Sequence, residues 1–292
     1  MRTILALGLV LGLASACGAG RTAGNGALDV VAAENVYGDI AAQLGGRHVA
    51  VTSILSNPSA DPHLFEPGTQ NGLAVAQARV VIQNGAGYDT FMAKLIAAAP
   101  SSHRTVVTIA DVLGVHGRDA NPHLWYDVPR LGRIAAAIAG ALEQADPKHA
   151  AAYRAGLGRF RSSLQPLLRE VARIRTSFAG RPIAYTEPVP GYLIDAAGLK
   201  NLAPGSFTRA IEDGTDPSPQ AFAAMSALVT GRKIAVLLYN TQAFSVVTAR
   251  VRAAAVTAGI PVVGVSETLP PHLTFQQWQL AQAKALYGAL AR

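Results

Sequence analysis

The sequence predicts an α/β protein divided into two lobes, each with a mainly parallel sheet flanked by helices. Three observations predict it. Short apolar runs alternate with amphipathic stretches between Leu28 and Ile109, and again from Pro182 onward, the pattern of strands covered on both faces by helices. A long apolar face with helical spacing separates the two series. The chain has 292 residues, more than one hydrophobic core usually holds, so it reads as two domains.

In the first series, Leu28–Ala33 reads as a buried strand, followed by an amphipathic helix that stops at Gly45-Gly46. Val49–Leu55, Val80–Gln83 and Thr105–Ile109 read as further strands, with helices over Gly68–Gln77 and Tyr88–Ala99. Next, Tyr153, Leu157, Phe160, Leu164, Leu167, Val171, Ile174 and Phe178 recur by threes and fours, one face of a helix. From Lys148 to Phe178 such a helix is about 45 Å long. It is either an ordinary bundle helix or a stiff connector, and Pro166 inside it should kink it. In the second series, Pro182–Thr186, Lys233–Tyr239 and Pro261–Ser266 read as strands, and Pro219–Val229 and Ala243–Ala258 as helices. The expected division is a leader over 1–16, a tether over 17–27, lobes over 28–146 and 179–292, and a linking helix over 147–178.

Composition narrows the class. Half the chain is hydrophobic and 15% is charged, which excludes a disordered protein. The net charge of +7 comes from scattered arginines. No aromatic-basic stripe accompanies them, so nucleic acid is not an expected partner. Arg2 precedes an apolar run, Ile4 to Ala16, too short to span a bilayer but suited to a signal peptide. Ala14-Ser15-Ala16-Cys17 resembles a bacterial lipidation site, with Ala14 where leucine is more usual. Cys17 is the only cysteine, so no intramolecular disulfide forms. The alternative is plain secretion with an incidental Cys17. Gly18–Ala27 is small and polar, as a tether is.

One phrase occurs twice: Ala60-Asp61-Pro62-His63-Leu64-Phe65 and Ala120-Asn121-Pro122-His123-Leu124-Trp125. Proline fixes its own φ and drives the preceding residue out of helix. Asp or Asn there bonds back to the local backbone. Each imidazole therefore stands on a stiff loop. A lone loop histidine is more often idle in solvent; two in the same setting suggest metal ligands. In open α/β sheets, ligands bind beyond the carboxyl ends of the strands. His63 and His123 follow strands of the first half, while Glu187 and Glu267 directly follow Ile183–Thr186 and Val262–Ser266 of the second. Taken singly, each glutamate also suits strand-end solvation or a helix cap. The remaining histidines read as bystanders, with a first capture point as the alternative for His116 and a ligand or a gate as the alternative for His272.

These segments resemble the zinc/manganese solute-binding proteins of bacterial ABC importers. The resemblance rests on DPHLFEP, NPHLWYD, TEPVPGYL with AAGL, and GVSETLPP with TFQQWQLAQAKAL, and runs from about Leu28 to the C-terminus. It implies two α/β lobes bridged by one long helix, with the metal site in the cleft. It also implies that His63, His123, Glu187 and Glu267 are the ligands. The fourth ligand of that family is usually aspartate, so Glu267 is a departure. The third is histidine in many zinc members and glutamate in manganese members, and Glu187 sides with the latter. The histidine-rich loop of many zinc members is reduced here to His116.

Two neutral imidazoles and two carboxylates carry a charge of −2, which a divalent ion neutralises and makes tolerable to bury. Four protein ligands leave little room for the open position of a catalytic zinc. Two nitrogens with two carboxylates suit Zn²⁺ as a four-coordinate site, or Mn²⁺ if the carboxylates chelate. The expected protein is a monomeric binding component, not an enzyme. Anchored through lipidated Cys17 on the outer face of the cytoplasmic membrane, or periplasmic, it captures one Zn²⁺ or Mn²⁺ and delivers it to an ABC permease. The alternatives are a secreted metal-dependent hydrolase, for which neither HExxH nor Gly-x-Ser-x-Gly is present, and an adhesin with a structural metal.

Overall fold

The computed structural model describes residues 26–58, 62–117 and 119–292. The leader over 1–16 and Cys17 lie outside the described residues, as does the tether up to residue 25. Among those described, no helix is long and apolar enough to cross a membrane.

Two four-stranded parallel sheets form the frame. The first contains β1 (Leu28–Glu34), β2 (Val49–Leu55), β3 (Val80–Gln83) and β4 (Thr105–Thr108) in the order β2-β1-β3-β4. The second contains β5 (Pro182–Tyr185), β6 (Lys200–Asn201), β7 (Leu237–Asn240) and β8 (Val262–Val265) in the order β6-β5-β7-β8. The orders are the same with four added to each number. Alternate side chains of β1 enter different clusters: Val30 and Ala32 join the main core, Val31 and Ala33 a second one. Burial on both faces is what a parallel sheet between helical layers requires.

Helices α1 (Asn35–Gly45), α2 (Thr69–Gln77), α3 (Thr90–Ala98), α4 (Ile109–Leu113) and α5 (Leu131–Ala145) surround the first sheet. The second is surrounded by α8 (Gly191–Ala196), α9 (Gly205–Glu212), α10 (Pro219–Thr230), α11 (Val246–Thr257) and α12 (Phe275–Leu290). Between them the long apolar face forms α6 (Ala150–Ser163) and α7 (Gln165–Phe178). Leu164 joins the two with near-helical angles, φ −75° and ψ −17°. Its N–H donates to the Phe160 carbonyl and its carbonyl accepts from Leu168, so the ladder is perturbed rather than severed where Pro166 lacks an N–H. The buried stripe Tyr153, Phe160, Leu164, Leu167, Val171 and Ile174 belongs to a core that also contains Val30 and Ile82 of one lobe and Ile183 and Val263 of the other. At Gly156 a Cβ would lie 2.2 Å from the Leu44 carbonyl oxygen, so only glycine lets α6 sit against α1.

The strand expected over Lys233–Tyr239 is confined to Leu237–Asn240. Ala235 and Val236 do bond to Pro182 and Ala184 of β5. Pairing with β8 starts only at Leu237. A second set of bonds ties α1 to the start of α12. Asn35 exchanges side-chain bonds with the backbone of Leu269 at 2.8 and 2.9 Å. Asp39 accepts the Phe275 N–H at 2.9 Å, and Gln43 and Gln276 exchange amide bonds at 2.9 Å.

Candidate metal-binding site

The carboxyl ends of both sheets face each other, and the site residues come from there. Glu187 follows β5 by two residues, Glu267 follows β8 by two, and Asn240 is the last residue of β7. His123 lies in the segment after α4, immediately before a 3-10 turn over Leu124–Tyr126. All four residues are buried.

The expected stiffness of the His123 loop is realised through Asn121. Its side-chain oxygen accepts both the His123 backbone N–H at 3.0 Å and the imidazole Nδ1–H at 2.9 Å. The bond to Nδ1 fixes the tautomer and leaves Nε2 facing the cleft. The Asn121 amide donates to the Pro188 carbonyl, and its own carbonyl accepts from the Tyr192 hydroxyl, both at 2.8 Å. The loop of one lobe is thus pinned to the other. Gly191 permits this: a Cβ there would stand 2.6 Å from Asn121 Nδ2. From behind, Trp125 packs edge-on against His123 with centroids 5.4 Å apart.

His123 Nε2 is 3.3 Å from Glu267 Oε2. The same oxygen accepts the Tyr88 hydroxyl at 2.8 Å. Asn240 sits between the two glutamates, its amide donating to Glu187 Oε2 and, at 2.7 Å, to Glu267 Oε1. Gln242 fixes the Glu267 backbone, accepting its N–H at 2.5 Å and that of Thr268 at 3.1 Å. Tyr88 is held by a turn whose Asn84 and Gly85 amides both donate to Asp89, at 2.6 and 2.8 Å.

Electrostatics follow from this burial. Desolvation opposes charge on His123, but Glu212, Glu267 and Glu187 outweigh it and lift the imidazole to about 9. Burial, then the like charge of Glu267, pushes Glu187 up to about 8, against the Asn240 bond and His123. Protons therefore compete with any cation for this site.

Of the four residues expected to converge, the structure brings together His123, Glu187 and Glu267. The side chain of His63 lies outside the described portion; its backbone belongs to a 3-10 turn, Pro62–Leu64. Among the described residues, no three His, Cys, Asp or Glu side chains are already gathered as a closed ligand cluster. The Asn240 amide stands between the two carboxylates instead, and the Tyr88 hydroxyl donates to Glu267. His116 is exposed, 3.9 Å from Asp111. His272 is exposed too, with φ at 65°. His48 and His149 stack on each other at 4.0 Å.

Sequence reasoning missed Asn240, Tyr88, Asn121 as orienter, and Glu212. Strand-end position marks Asn240, as it does the two glutamates. Glu212 ends α9, and its Oε1 approaches His123 Nε2 to 3.9 Å.

Two parallel lobes meeting at their strand ends around buried imidazole and carboxylate groups define a two-lobed α/β binding fold. The chain belongs to the family described as zinc-uptake complex component A periplasmic (ZnuA), whose model matches residues 30–289. It is similar to a putative metal-binding protein of Treponema pallidum, 25% identical over 65% of this chain and 66% of that one. It is also similar to the manganese-binding lipoprotein MntA of Bacillus subtilis, 26% identical over 50% of this chain and 51% of that one. The chain thus spans between half and two thirds of the length of these curated relatives. Among solved structures, the periplasmic zinc binding protein TroA from Treponema pallidum superposes with a TM-score of 0.78 at 19% identity, covering 91% of this chain and 100% of that one. A crystal structure of ZnuA gives 0.71 at 23% identity, covering 90% and 98%. At these identities the solved structures speak for the fold.

Proposed function

We propose that this protein is the extracytoplasmic binding component of an ABC importer, capturing one Zn²⁺ or Mn²⁺ and passing it to a membrane permease. The observation that carries this reading is the convergence of His123, Glu187 and Glu267, all buried, at the meeting of the two sheets. With His63 they supply two imidazoles and two carboxylates, a donor set that suits either metal. Family membership and the printed names of the relatives support the same cargo. Lipidated Cys17 would anchor the chain to the outer face of the membrane, the tether would extend to residue 27, and the protein would act as a monomer. Residues 28–146 and 179–292 would form the lobes and 147–178 the link.

The hydrolase alternative needs an open metal position beside a positioned base. The carboxylate of Glu267 is instead engaged by Tyr88 and Asn240, which suits holding an ion more than activating water on it.

The test is elemental analysis of protein purified without added metal, followed by direct competition between Zn²⁺ and Mn²⁺. Stoichiometric, chelator-reversible binding of either, with the stripped protein still folded, is the expected result. Protein that binds neither would refute the reading. Turnover of ester or peptide substrates would favour the hydrolase, and unfolding on stripping would favour a structural metal.

A further inference from the structure

Beside the ligand set of the proposed receptor stands one more carboxylate. Glu212 closes α9, and its side chain keeps 15% exposure. Its Oε2 is shielded from solvent with no hydrogen-bond partner among the described residues. Its Oε1 is 3.9 Å from His123 Nε2. One turn earlier on α9, Arg209 pairs with Asp119 at 2.5 Å. Glu212 also lines a cavity of about 500 Å³ together with Tyr88, Asn121, Tyr192 and Thr208, and of these Tyr88 and Asn121 also bond to the site residues Glu267 and His123.

We infer that Glu212 is a fifth protein donor to the cargo ion, supplying a carboxylate from the cavity side. The inference rests on the metal-receptor reading above. Asn121 engages Nδ1 of His123, so Nε2 is the atom left for coordination, and it faces Glu267 at 3.3 Å and Glu212 at 3.9 Å. Ligand bonds of about 2.0–2.2 Å set donors around one ion roughly 3–4 Å apart. Both separations fall in that interval. An ordinary histidine–glutamate ion pair would produce the same proximity, so the two must be separated by their consequences. A fifth donor takes the shell beyond the four of a closed zinc site and adds a hard oxygen, which suits Mn²⁺ better than Zn²⁺. A counter-ion alone would make no such distinction.

The experiment compares the wild-type chain with Glu212→Gln and with Asp213→Asn, a neighbouring acid on the same cavity. Affinities for Mn²⁺ and Zn²⁺ are read by chelator competition, and the first coordination shell of bound Mn²⁺ by X-ray absorption. For Glu212→Gln the expected result is at least about a tenfold loss for Mn²⁺, a loss below about threefold for Zn²⁺, and one oxygen fewer around Mn²⁺. For Asp213→Asn it is no change in either. Unchanged affinities in Glu212→Gln overturn the inference. So do equal losses for both metals with an unaltered shell, and so does an equal Mn²⁺ loss in Asp213→Asn, which would assign the effect to charge at a distance. Wild-type protein that binds neither metal would refute the receptor reading itself, before any variant is compared.

Discussion

The two lobes share a strand order but contribute to the site in opposite ways. The second lobe places Glu187, Asn240 and Glu267 on or within two residues of strand ends. There the hydrogen-bonded ladder fixes the backbone, and a neighbouring side chain, Gln242, locks it further. The first lobe presents His123 from a connection more than ten residues removed from its strand. That connection is held from its own lobe by Asn84, which follows β3 and donates to the Pro122 carbonyl at 2.8 Å, and also by bonds reaching across the cleft, from Asn121 to Pro188 and from Tyr192 to Asn121. One half is a rigid anionic wall, while the other offers its imidazole on a loop that the wall helps to position. Equal topology therefore does not mean equal stiffness at the site, and the contrast can be broken or sharpened experimentally.

The largest effect is expected at the loop-borne imidazole. His123→Ala should weaken metal binding by about a thousandfold, a full ligand costing more than the 10–100-fold typical of a supporting residue. Competition with a fluorescent chelator measures it; a loss under tenfold would remove His123 from the site. Glu187→Gln should cost about a hundredfold in affinity while raising the melting temperature of metal-free protein at pH 8. The carboxyl is shifted from its ordinary 4.5 to about 8. Ionisation is therefore harder in the folded chain, and stability falls as pH rises through that window. The neutral amide removes the share of that fall due to Glu187, leaving the share due to His123, whose imidazole is also raised. Thermal melts of both proteins from pH 5 to 9 test this, and parallel curves would contradict it.

A third expectation concerns protons. Burial among one another's charges raises both His123 and Glu187, so the cluster they form retains protons into the neutral range. A bound cation must displace those protons, so affinity should drop by up to about tenfold per proton released for each pH unit below 8. Calorimetry in buffers of different ionisation enthalpy counts the protons released; none at pH 7 would contradict the coupling. Next, Asn121→Ala should cost about 10–100-fold by freeing the imidazole to rotate. An affinity within twofold of wild type would mean that Trp125 packing alone positions the ring. Smallest of all, His116→Ala and His272→Ala should leave affinity unchanged in the same chelator assay, since both side chains face solvent.

Much of this molecule was legible in its sequence. Strand bounds were legible even at the sheet edge: Val49–Leu55 and the buried run Val80–Gln83 both match their expected bounds. The two-residue β6 is too short to leave a pattern, and α9 starts inside the Pro204-Gly205 pair, which looks like a turn. Missing α9 meant missing Glu212. The carboxylates were findable because they directly follow strands. Asn240 shares that strand-end position but is an amide rather than a charged ligand type, and Tyr88 gives no signal until the fold sets it beside Glu267. The repeated proline-histidine phrase located His123, but its orientation depends on Pro188 and Tyr192, far away in sequence.

The bonds from α1 to the head of α12 carry a mechanical consequence. Asn35, Asp39 and Gln43 lie along one helix of the first lobe, and each grips Leu269, Phe275 or Gln276 of the second. A seam fastened at three successive points resists the wide jaw-like swing open to a single flexible hinge. In the proposed receptor, loading and unloading would then proceed through small displacements of loops and side chains, and the outline of the protein would stay nearly constant between them.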